Sequence, residues 1–251
     1  MSTVLPLKSN MGRFKVAHSN RRHPAGPLES GVVRLLVIEH EPDAGAALLA
    51  ERARQLGATI DVATPECGIP TDVNGFEALL VMGASPSVND AEIAWWFERE
   101  VALLRDAAAR SVPVLGVCFG AQALAVALGG SVSRATRAEI GWFEIDTTDE
   151  AVVESGPWMQ WHVDAISPPP GATVLAKSDV CVQAYAIGPH LGVQFHPEVT
   201  ESEVLAWAEQ GAAGAGIDPA ALLAQTRAVF PAARERAFRL FDRFAANLKK
   251  R

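Results

Sequence analysis

Apolar runs alternate with longer amphipathic stretches through the first half of the chain. Four runs predict strands, at residues 32–38, 59–63, 78–82 and 112–117, and the first of them is expected to be buried. Between and after them, apolar positions recur at helical spacing in the stretches 43–56, 91–110 and 119–128. Continuous apolar strands that alternate with helices are typical of a parallel sheet with helices on both faces. The first half therefore predicts an α/β fold.

The pattern changes after residue 130. Short strands separated by Pro and Gly turns are predicted at residues 131–148, 159–165, 173–177, 181–187 and 191–195. We expect them to add antiparallel strands and hairpins to the same sheet. Helices return at residue 201, and the last one places Ala237, Phe241, Phe244 and Leu248 at helical spacing. With no internal repeat or composition shift, residues 32–251 are expected to form a single domain.

Residues 1–31 show neither the helical nor the strand spacing of apolar residues. They contain five basic residues and one acid, Glu29, and they lack the apolar stretch of a secretory signal. A disordered tail, or a reading frame that starts too early, is the favoured interpretation, and a transit peptide is the alternative.

Composition narrows the class of protein. The chain has 251 residues, a net charge of −7, a pI near 5.4 and a mean hydropathy of +0.13. The acidic balance argues against a nucleic-acid-binding surface, and the absence of an apolar run of about 20 residues argues against a membrane span. Three cysteines, an odd number, do not predict a disulfide framework. A cytoplasmic protein is the natural expectation.

A cysteine stands where the fourth apolar run passes directly into a helix. Cys118 is flanked symmetrically by Gly116 and Gly120. A nucleophile elbow forces its central residue into a crowded backbone conformation, so small residues are needed two positions before and after it. The pattern predicts that Cys118 is a nucleophile. Cys67, in a Pro/Gly loop, and Cys181, in an apolar strand, are interpreted as small unreactive side chains.

A histidine and a glutamate follow the last short strand. His196 comes at the strand's end, Pro197 stops the ladder, and Glu198 falls on the same side of an extended chain. A thiol nucleophile needs a base that takes its proton and returns it to the leaving amine, and the base needs a group that orients it. A surface histidine would show the same short pattern. It is the combination with the elbow that favours His196 as base and Glu198 as orienting group.

The third strand opens into a turn, Gly83-Ala84-Ser85-Pro86. Ligands of open α/β sheets bind at the carboxyl edge of the strands, where this turn lies. Its backbone N–H groups, together with that of Phe119, are candidates for stabilising an oxyanion. Taken alone, however, the segment favours an ordinary βα turn.

Two of these segments resemble the signatures of a known family. Gly116 to Gln122 (GVCFGAQ) and His196-Pro197-Glu198 resemble those of the triad-type, class I glutamine amidotransferases. Residues 139–142 (EIGW) and 160–164 (QWHVD) resemble the intervening blocks of stand-alone, GMP-synthase-like members. The resemblance runs from residue 33 to about residue 244. It implies a class I glutamine amidotransferase-like (flavodoxin-like) three-layer sandwich, with a mostly parallel central sheet and an added antiparallel segment.

The resemblance also implies an activity. It implies that Cys118 hydrolyses the side-chain amide of glutamine through a thioester, with His196 as general base and then acid and Glu198 as orienting group. No cofactor is implied, and the ammonia would pass to a separate synthetase subunit, since no synthetase domain is expected in this chain. The remaining implied roles are oxyanion donation by Ala84 and Phe119, and substrate binding by Gly83, Gln122, Trp161, His162 and Asp164.

The turn after the third strand departs from the family pattern. The family usually has Gly-Gly-Pro where this chain has Gly83-Ala84-Ser85. Alanine keeps its N–H but tolerates positive φ poorly. Pro86 lacks an N–H that a different residue would offer to substrate.

Two other functions fit the same residues. A γ-glutamyl peptidase or hydrolase would use the same site on γ-glutamyl amides and would need no ammonia acceptor. A non-catalytic scaffold subunit would keep the fold alone, against which the intact Cys118, His196 and Glu198 argue. His40, after the first strand, is interpreted as an ordinary loop histidine. No Walker motif is present, and no Cys/His cluster has metal-ligand spacing.

Overall fold

Strands and helices alternate in the first half of the chain. The computed structural model describes residues 32–209 and 216–248, so the predicted tail at 1–31 lies outside the described residues. A short 3-10 turn, Ala91–Ile93, precedes the second helix. The elements are β1 (Arg34–Ile38), α1 (Ala47–Gln55), β2 (Thr59–Ala63), β3 (Ala78–Val81), α2 (Ala94–Ala109), β4 (Val114–Val117) and α3 (Phe119–Ala127).

The second half contains mainly strands, followed by two helices. They are β5 (Ser131–Thr147), β6 (Gly156–Ser167), β7 (Thr173–Lys177), β8 (Val182–Ile187), β9 (His190–Val193), α4 (Glu201–Trp207) and α5 (Pro219–Ala245). The predicted elements are all present, with shifted bounds. The first helix was expected from residue 43 but begins at Ala47. The residues before it form a turn, in which the Ala46 N–H donates to the Glu39 carboxylate at 3.1 Å.

The described strands form one sheet in the order β2-β1-β3-β4-β9-β8-β7-β5-β6. Pairing is parallel from β2 through β9. It is antiparallel from β9 through β6. Strand β9 therefore joins a parallel half to an antiparallel half, as the change of pattern after residue 130 predicts.

Helices cover both faces of the parallel half. On one face, α1 and α5 pack in the same core as Leu35 and Val37 of β1. On the other face, α2 and α3 pack with Leu36 and Ile38 of the same strand. Alternate residues of one buried strand thus enter opposite cores. The fold is the three-layer α/β sandwich that the resemblance to class I glutamine amidotransferases implies.

The last helix confirms the predicted apolar face. Ala237, Phe241 and Phe244 are buried, whereas Leu248 lies beyond the helix end. Helix α5 has 27 residues and contains Pro231. Neither it nor any other helix in the described part of the chain has the length and apolar character needed to cross a membrane.

Candidate active site

Cys118 occupies a sharp elbow between β4 and α3. It is the N-cap residue of α3, with φ 50° and ψ −108°, and its side chain is buried. A non-glycine residue at positive φ is strained and persists only where its surroundings hold it. A Cβ on Gly116 would lie 2.6 Å from the Gly120 carbonyl oxygen, and one on Gly120 would overlap the Val81 carbonyl oxygen. Glycine is therefore required on both sides of Cys118, as the sequence pattern predicts.

Strands β4 and β9 bring the two signature segments to one edge of the sheet. They are parallel neighbours in which Val117 is opposite Val193. The Cys118 N–H continues the ladder and donates to the Val193 carbonyl at 2.8 Å. Beyond β9, the His196 N–H donates to the Met159 carbonyl of β6, also at 2.8 Å. The chain after each strand is thus fixed by backbone hydrogen bonds.

His196 and Glu198 form a buried pair. The Nδ1 atom of His196 lies 2.7 Å from Oε1 of Glu198, and the two side chains are 5% and 2% exposed. Burial lowers the pKa of His196, but Glu198 and Cys118 raise it well above its ordinary value. The Nε2 atom of His196 is buried without a hydrogen-bond partner among the described residues. The histidine is therefore held on one side and left available on the other.

Gly83 lies against both Cys118 and His196. A Cβ at this position would be 3.2 Å from Cε1 of His196 and 3.9 Å from Cβ of Cys118. The turn after β3 therefore forms a wall of the same site. Ala84, next along the chain, is half-buried, and Phe119, which follows the cysteine, is buried.

His40, interpreted from the sequence as an ordinary loop histidine, lies in the loop after β1 but is buried and contacts the turn after β3. Its Nε2 lies 2.8 Å from Oε2 of Glu100, and its Nδ1 lies 3.1 Å from the Gly83 carbonyl oxygen. Burial lowers the pKa of His40, but the charge and hydrogen bond of Glu100 and the hydrogen bond to Gly83 raise it above its ordinary value. The ring also packs against Trp96 and Phe119, at centroid distances of 5.1 and 4.9 Å. An acid on the apolar face of α2, Glu100, was the signal that the sequence offered.

A pair of glutamine side chains lies beside the sulfur. Nε2 of Gln194 is 3.5 Å from Sγ of Cys118, and Oε1 of Gln194 accepts a hydrogen bond from Nε2 of Gln122 at 3.3 Å. Both glutamines are buried. Gln122 was predicted at the site. Gln194 stands two residues before His196, and the sequence assigns it no role.

Two tryptophans enclose the site from β6 and α4. The Trp161 carbonyl oxygen lies 4.0 Å from Sγ of Cys118. The Trp207 ring lies 5.7 Å from that of Trp161 and 4.9 Å from that of His196. Its indole N–H donates to the Asp43 carbonyl at 3.0 Å. Nothing in the sequence distinguishes Trp207 from an ordinary helix aromatic.

The side chains of His162 and Asp164 face other partners. Nε2 of His162 lies 3.2 Å from Oε2 of Glu139, and a carboxylate oxygen of Asp164 lies 3.5 Å from Nη1 of Arg134. Cys181 belongs to the same polar cluster, with its Sγ 3.7 Å from Oε2 of Glu139. Burial, together with Glu139 and Cys118, raises the pKa of Cys181 to about 12. Its environment is therefore polar, in contrast to the expected apolar strand.

The comparisons with known proteins all give glutamine amidotransferases or glutamine-hydrolyzing GMP synthases. The glutamine amidotransferase class-I family model matches residues 42–206. The chain is 33% identical over 165 residues to one subunit of the glutamine-hydrolyzing GMP synthase of Saccharolobus solfataricus, covering 62% of this chain and 85% of that protein. It is 40% identical over 103 residues to the subunit of the same name from Thermococcus kodakarensis, covering 37% and 54%. A solved structure of a glutamine amidotransferase from Methylobacillus flagellatus superposes with a TM-score of 0.79 at 26% identity, covering 89% of this chain and 97% of that one.

Proposed function

This chain belongs to the class-I glutamine amidotransferase family, and we propose that Cys118, His196 and Glu198 carry out its hydrolysis of the L-glutamine side-chain amide. One observation carries the assignment. A histidine paired with a carboxylate at 2.7 Å lies at the same sheet edge as a cysteine in a nucleophile elbow. That arrangement supplies a nucleophile, a proton carrier and an orienting charge.

In the first half-reaction the Cys118 thiolate attacks the amide carbon of glutamine. A C–S bond forms, and the carbonyl oxygen becomes an oxyanion. His196, protonated beforehand, gives its Nε2 proton to the amide nitrogen as the C–N bond breaks. Ammonia leaves, and a γ-glutamyl thioester stays on Cys118.

In the second half-reaction water replaces ammonia. His196 takes a proton from the water as its oxygen attacks the thioester carbon. The C–S bond breaks, glutamate leaves, and the thiolate–imidazolium pair is restored. Glu198 stabilises the imidazolium through Nδ1, which agrees with its contribution to the raised pKa of His196.

The turn after β3 supplies one oxyanion donor in this proposal. The Gly83 carbonyl and the Ala84 N–H belong to one planar peptide unit and point in opposite directions when the bond is trans. Among the described residues no peptide bond is cis. Because His40 holds the carbonyl at 3.1 Å, the Ala84 N–H points away from His40. This orientation supports Ala84 as a donor together with the N–H of Phe119. Ala84 is not among the described residues at positive φ, so alanine introduces no such strain here.

We assign substrate contacts to groups that line the sulfur. Gly83, the side chain of Gln122 and the backbone at Trp161 lie there. His162 and Asp164 act through the position of the β6 backbone, because their side chains contact Glu139 and Arg134.

The ammonia is proposed to pass to a separate synthetase subunit. The support is that the S. solfataricus and T. kodakarensis relatives are each named as one subunit of a GMP synthase. A cytosolic location fits this role, since the reducing cytosol keeps a nucleophilic thiol active.

The test is release of ammonia and glutamate by the purified full chain, from glutamine and from a panel of γ-glutamyl dipeptides. We expect turnover of glutamine, and none by the Cys118→Ala variant. Turnover of the dipeptides alone would make the chain a γ-glutamyl hydrolase. A folded protein that turns over neither substrate, alone or with an added synthetase subunit, would favour the scaffold alternative.

A further inference from the structure

Three side chains with metal-binding atoms converge beside the proposed active site. They are Glu139 of β5, His162 of β6 and Cys181 in the turn before β8, and their ligand atoms lie within 4.8 Å of one another. Glu139 and His162 are buried, and Cys181 is half-buried. Because the three residues come from distant segments, no close spacing of ligands in the sequence marks the cluster.

Two of the three ligand distances in the cluster are close to those of a tetrahedral zinc site, and the third, between Nε2 of His162 and Sγ of Cys181, is within 4.8 Å. Oε2 of Glu139 lies 3.2 Å from Nε2 of His162 and 3.7 Å from Sγ of Cys181. Ideal tetrahedral zinc places an oxygen and a nitrogen ligand about 3.3 Å apart, and an oxygen and a sulfur ligand about 3.5 Å apart, given the usual bond lengths. A small movement of Cys181 completes the set. Carboxylate, imidazole and thiolate are all established zinc ligands.

The histidine is oriented as a ligand would be. Nδ1 of His162 lies 3.0 Å from the Asp164 carbonyl oxygen, which accepts hydrogen bonds only, so this nitrogen carries a proton. Nε2 points into the cluster, 3.2 Å from Oε2 of Glu139 at a geometry that does not complete a hydrogen bond, and the side chain is only 1% exposed. Metal-binding histidines characteristically donate their second N–H to a backbone carbonyl or a carboxylate in this way.

The carboxylate also has supporting contacts. Oε2 of Glu139 accepts hydrogen bonds from Oγ of Ser178 at 3.0 Å and from Nε2 of Gln183 at 2.8 Å. Hydrogen bonds to a ligating carboxylate are the expected outer shell of a metal site. Both hydrogen bonds are accepted by Oε2, the same oxygen that faces His162 and Cys181, so they hold that atom in position.

We propose that Glu139, His162 and Cys181 bind one zinc ion, with water or another small ligand at the fourth position. The Cys181 thiol proton goes to solvent as the S–Zn bond forms, and the metal joins β5, β6 and the turn before β8. The site is distinct from Cys118, His196 and Glu198 and does not depend on their proposed chemistry.

The test must separate this cluster from the proposed catalytic residues, which are also a cysteine, a histidine and a glutamate. Zinc binding is therefore measured on the full-length Cys118→Ala variant, freed of metal with a chelator and titrated with zinc by calorimetry. We expect one zinc per chain and a higher unfolding temperature with zinc. Adding Cys181→Ser should weaken binding at least tenfold, whereas Cys67→Ser, at an exposed thiol, should change nothing. Glu139→Gln provides a second variant of the site.

Cobalt gives a spectroscopic check. Co²⁺ bound to the Cys118→Ala variant should show a thiolate-to-metal charge-transfer band that disappears with Cys181→Ser. No stoichiometric zinc uptake by the folded Cys118→Ala variant would overturn the proposal. So would uptake that survives Cys181→Ser and Glu139→Gln and is lost with His196→Ala, because the metal would then lie at the other site.

Discussion

Nδ1 of His40 lies 3.1 Å from the carbonyl oxygen of Gly83, and the two residues follow neighbouring parallel strands. Glu100 holds the opposite nitrogen of the ring at 2.8 Å from a third element, α2. The peptide between Gly83 and Ala84 is thereby held from behind by a buried histidine–carboxylate pair. We infer that this pair positions the oxyanion donor without touching substrate.

Replacing His40 by glutamine, or Glu100 by glutamine, should lower kcat by about tenfold or more, because a misaligned oxyanion donor loses part of its transition-state stabilisation. KM should change little. Alkylation of Cys118 by iodoacetamide needs no oxyanion donor, so its rate should stay near that of the unmodified protein in variants that remain folded. Parallel losses in alkylation and turnover would show a general disturbance of the site and contradict the positioning role.

Cys118→Ala should abolish glutamine hydrolysis and leave the unfolding temperature close to that of the unmodified protein, because alanine removes only the sulfur. Coupled detection of glutamate and ammonia measures the first effect and thermal denaturation the second. Cys67→Ala is the matched control, since that cysteine is exposed, and it should retain full activity. Residual turnover by Cys118→Ala above the uncatalysed rate is incompatible with the thioester mechanism.

Glu198→Gln should be less severe than loss of the nucleophile, with kcat/KM reduced by about 10²–10⁴-fold. It should also change the pH profile. Burial lowers the pKa of His196, and Glu198 and Cys118 raise it further than burial lowers it. The imidazolium is lost as pH rises through this raised pKa, so removing the Glu198 charge should move the alkaline limb of kcat/KM to lower pH.

The control for Glu198→Gln is Glu201→Gln, which makes the same change in α4, at a side chain 43% exposed. It should leave both the rate and the pH profile unchanged. An alkaline limb that does not move in Glu198→Gln would mean that Glu198 does not set the protonation of His196.

Two glycine substitutions should affect different properties. Gly83→Ala should affect the activity, and Gly120→Ala should affect the stability. Gly83→Ala places a methyl group 3.2 Å from His196 and 3.9 Å from Cys118. We expect it to lower kcat while the protein stays folded. Gly120→Ala drives a methyl group into the Val81 backbone and should lower the unfolding temperature strongly or prevent folding. Thermal unfolding and turnover of both variants test the contrast, and a fully active Gly83→Ala would exclude close packing of that glycine on the site.

Much of the fold was predictable because its signals are local. The buried strands of the parallel half are continuous apolar runs, and β2 and β7 have the predicted bounds. The start of α1 was predicted wrongly. Pro42 and Asp43 resemble a helix N-terminus, but the Glu39 carboxylate at Ala46 delays the helix to Ala47. The contact depends on where the Glu39 side chain points, and the spacing of apolar residues does not predict that direction.

The site was predictable where residues stand together in sequence. Cys118 with its glycines, and His196 with Glu198, are short motifs that the structure brings to one edge. His40, Glu100, Gln194 and Trp207 could not be assigned, because their positions depend on contacts between segments far apart in the chain. The cluster around Glu139 was hidden for the same reason.

The alignment of Val117 opposite Val193 has a consequence for how the enzyme tolerates change. Cys118 and His196 each follow that rung within a few residues, so the lengths of the exposed turns between them need not change the spacing of the two side chains. Turns such as the one at Gly188, where a Cβ would meet nothing within 4 Å, are therefore suited to carry grafted loops or altered lengths. A single residue inserted between Val193 and His196 would instead shift the histidine relative to the rung that aligns it with Cys118, and the enzyme would lose its proposed base.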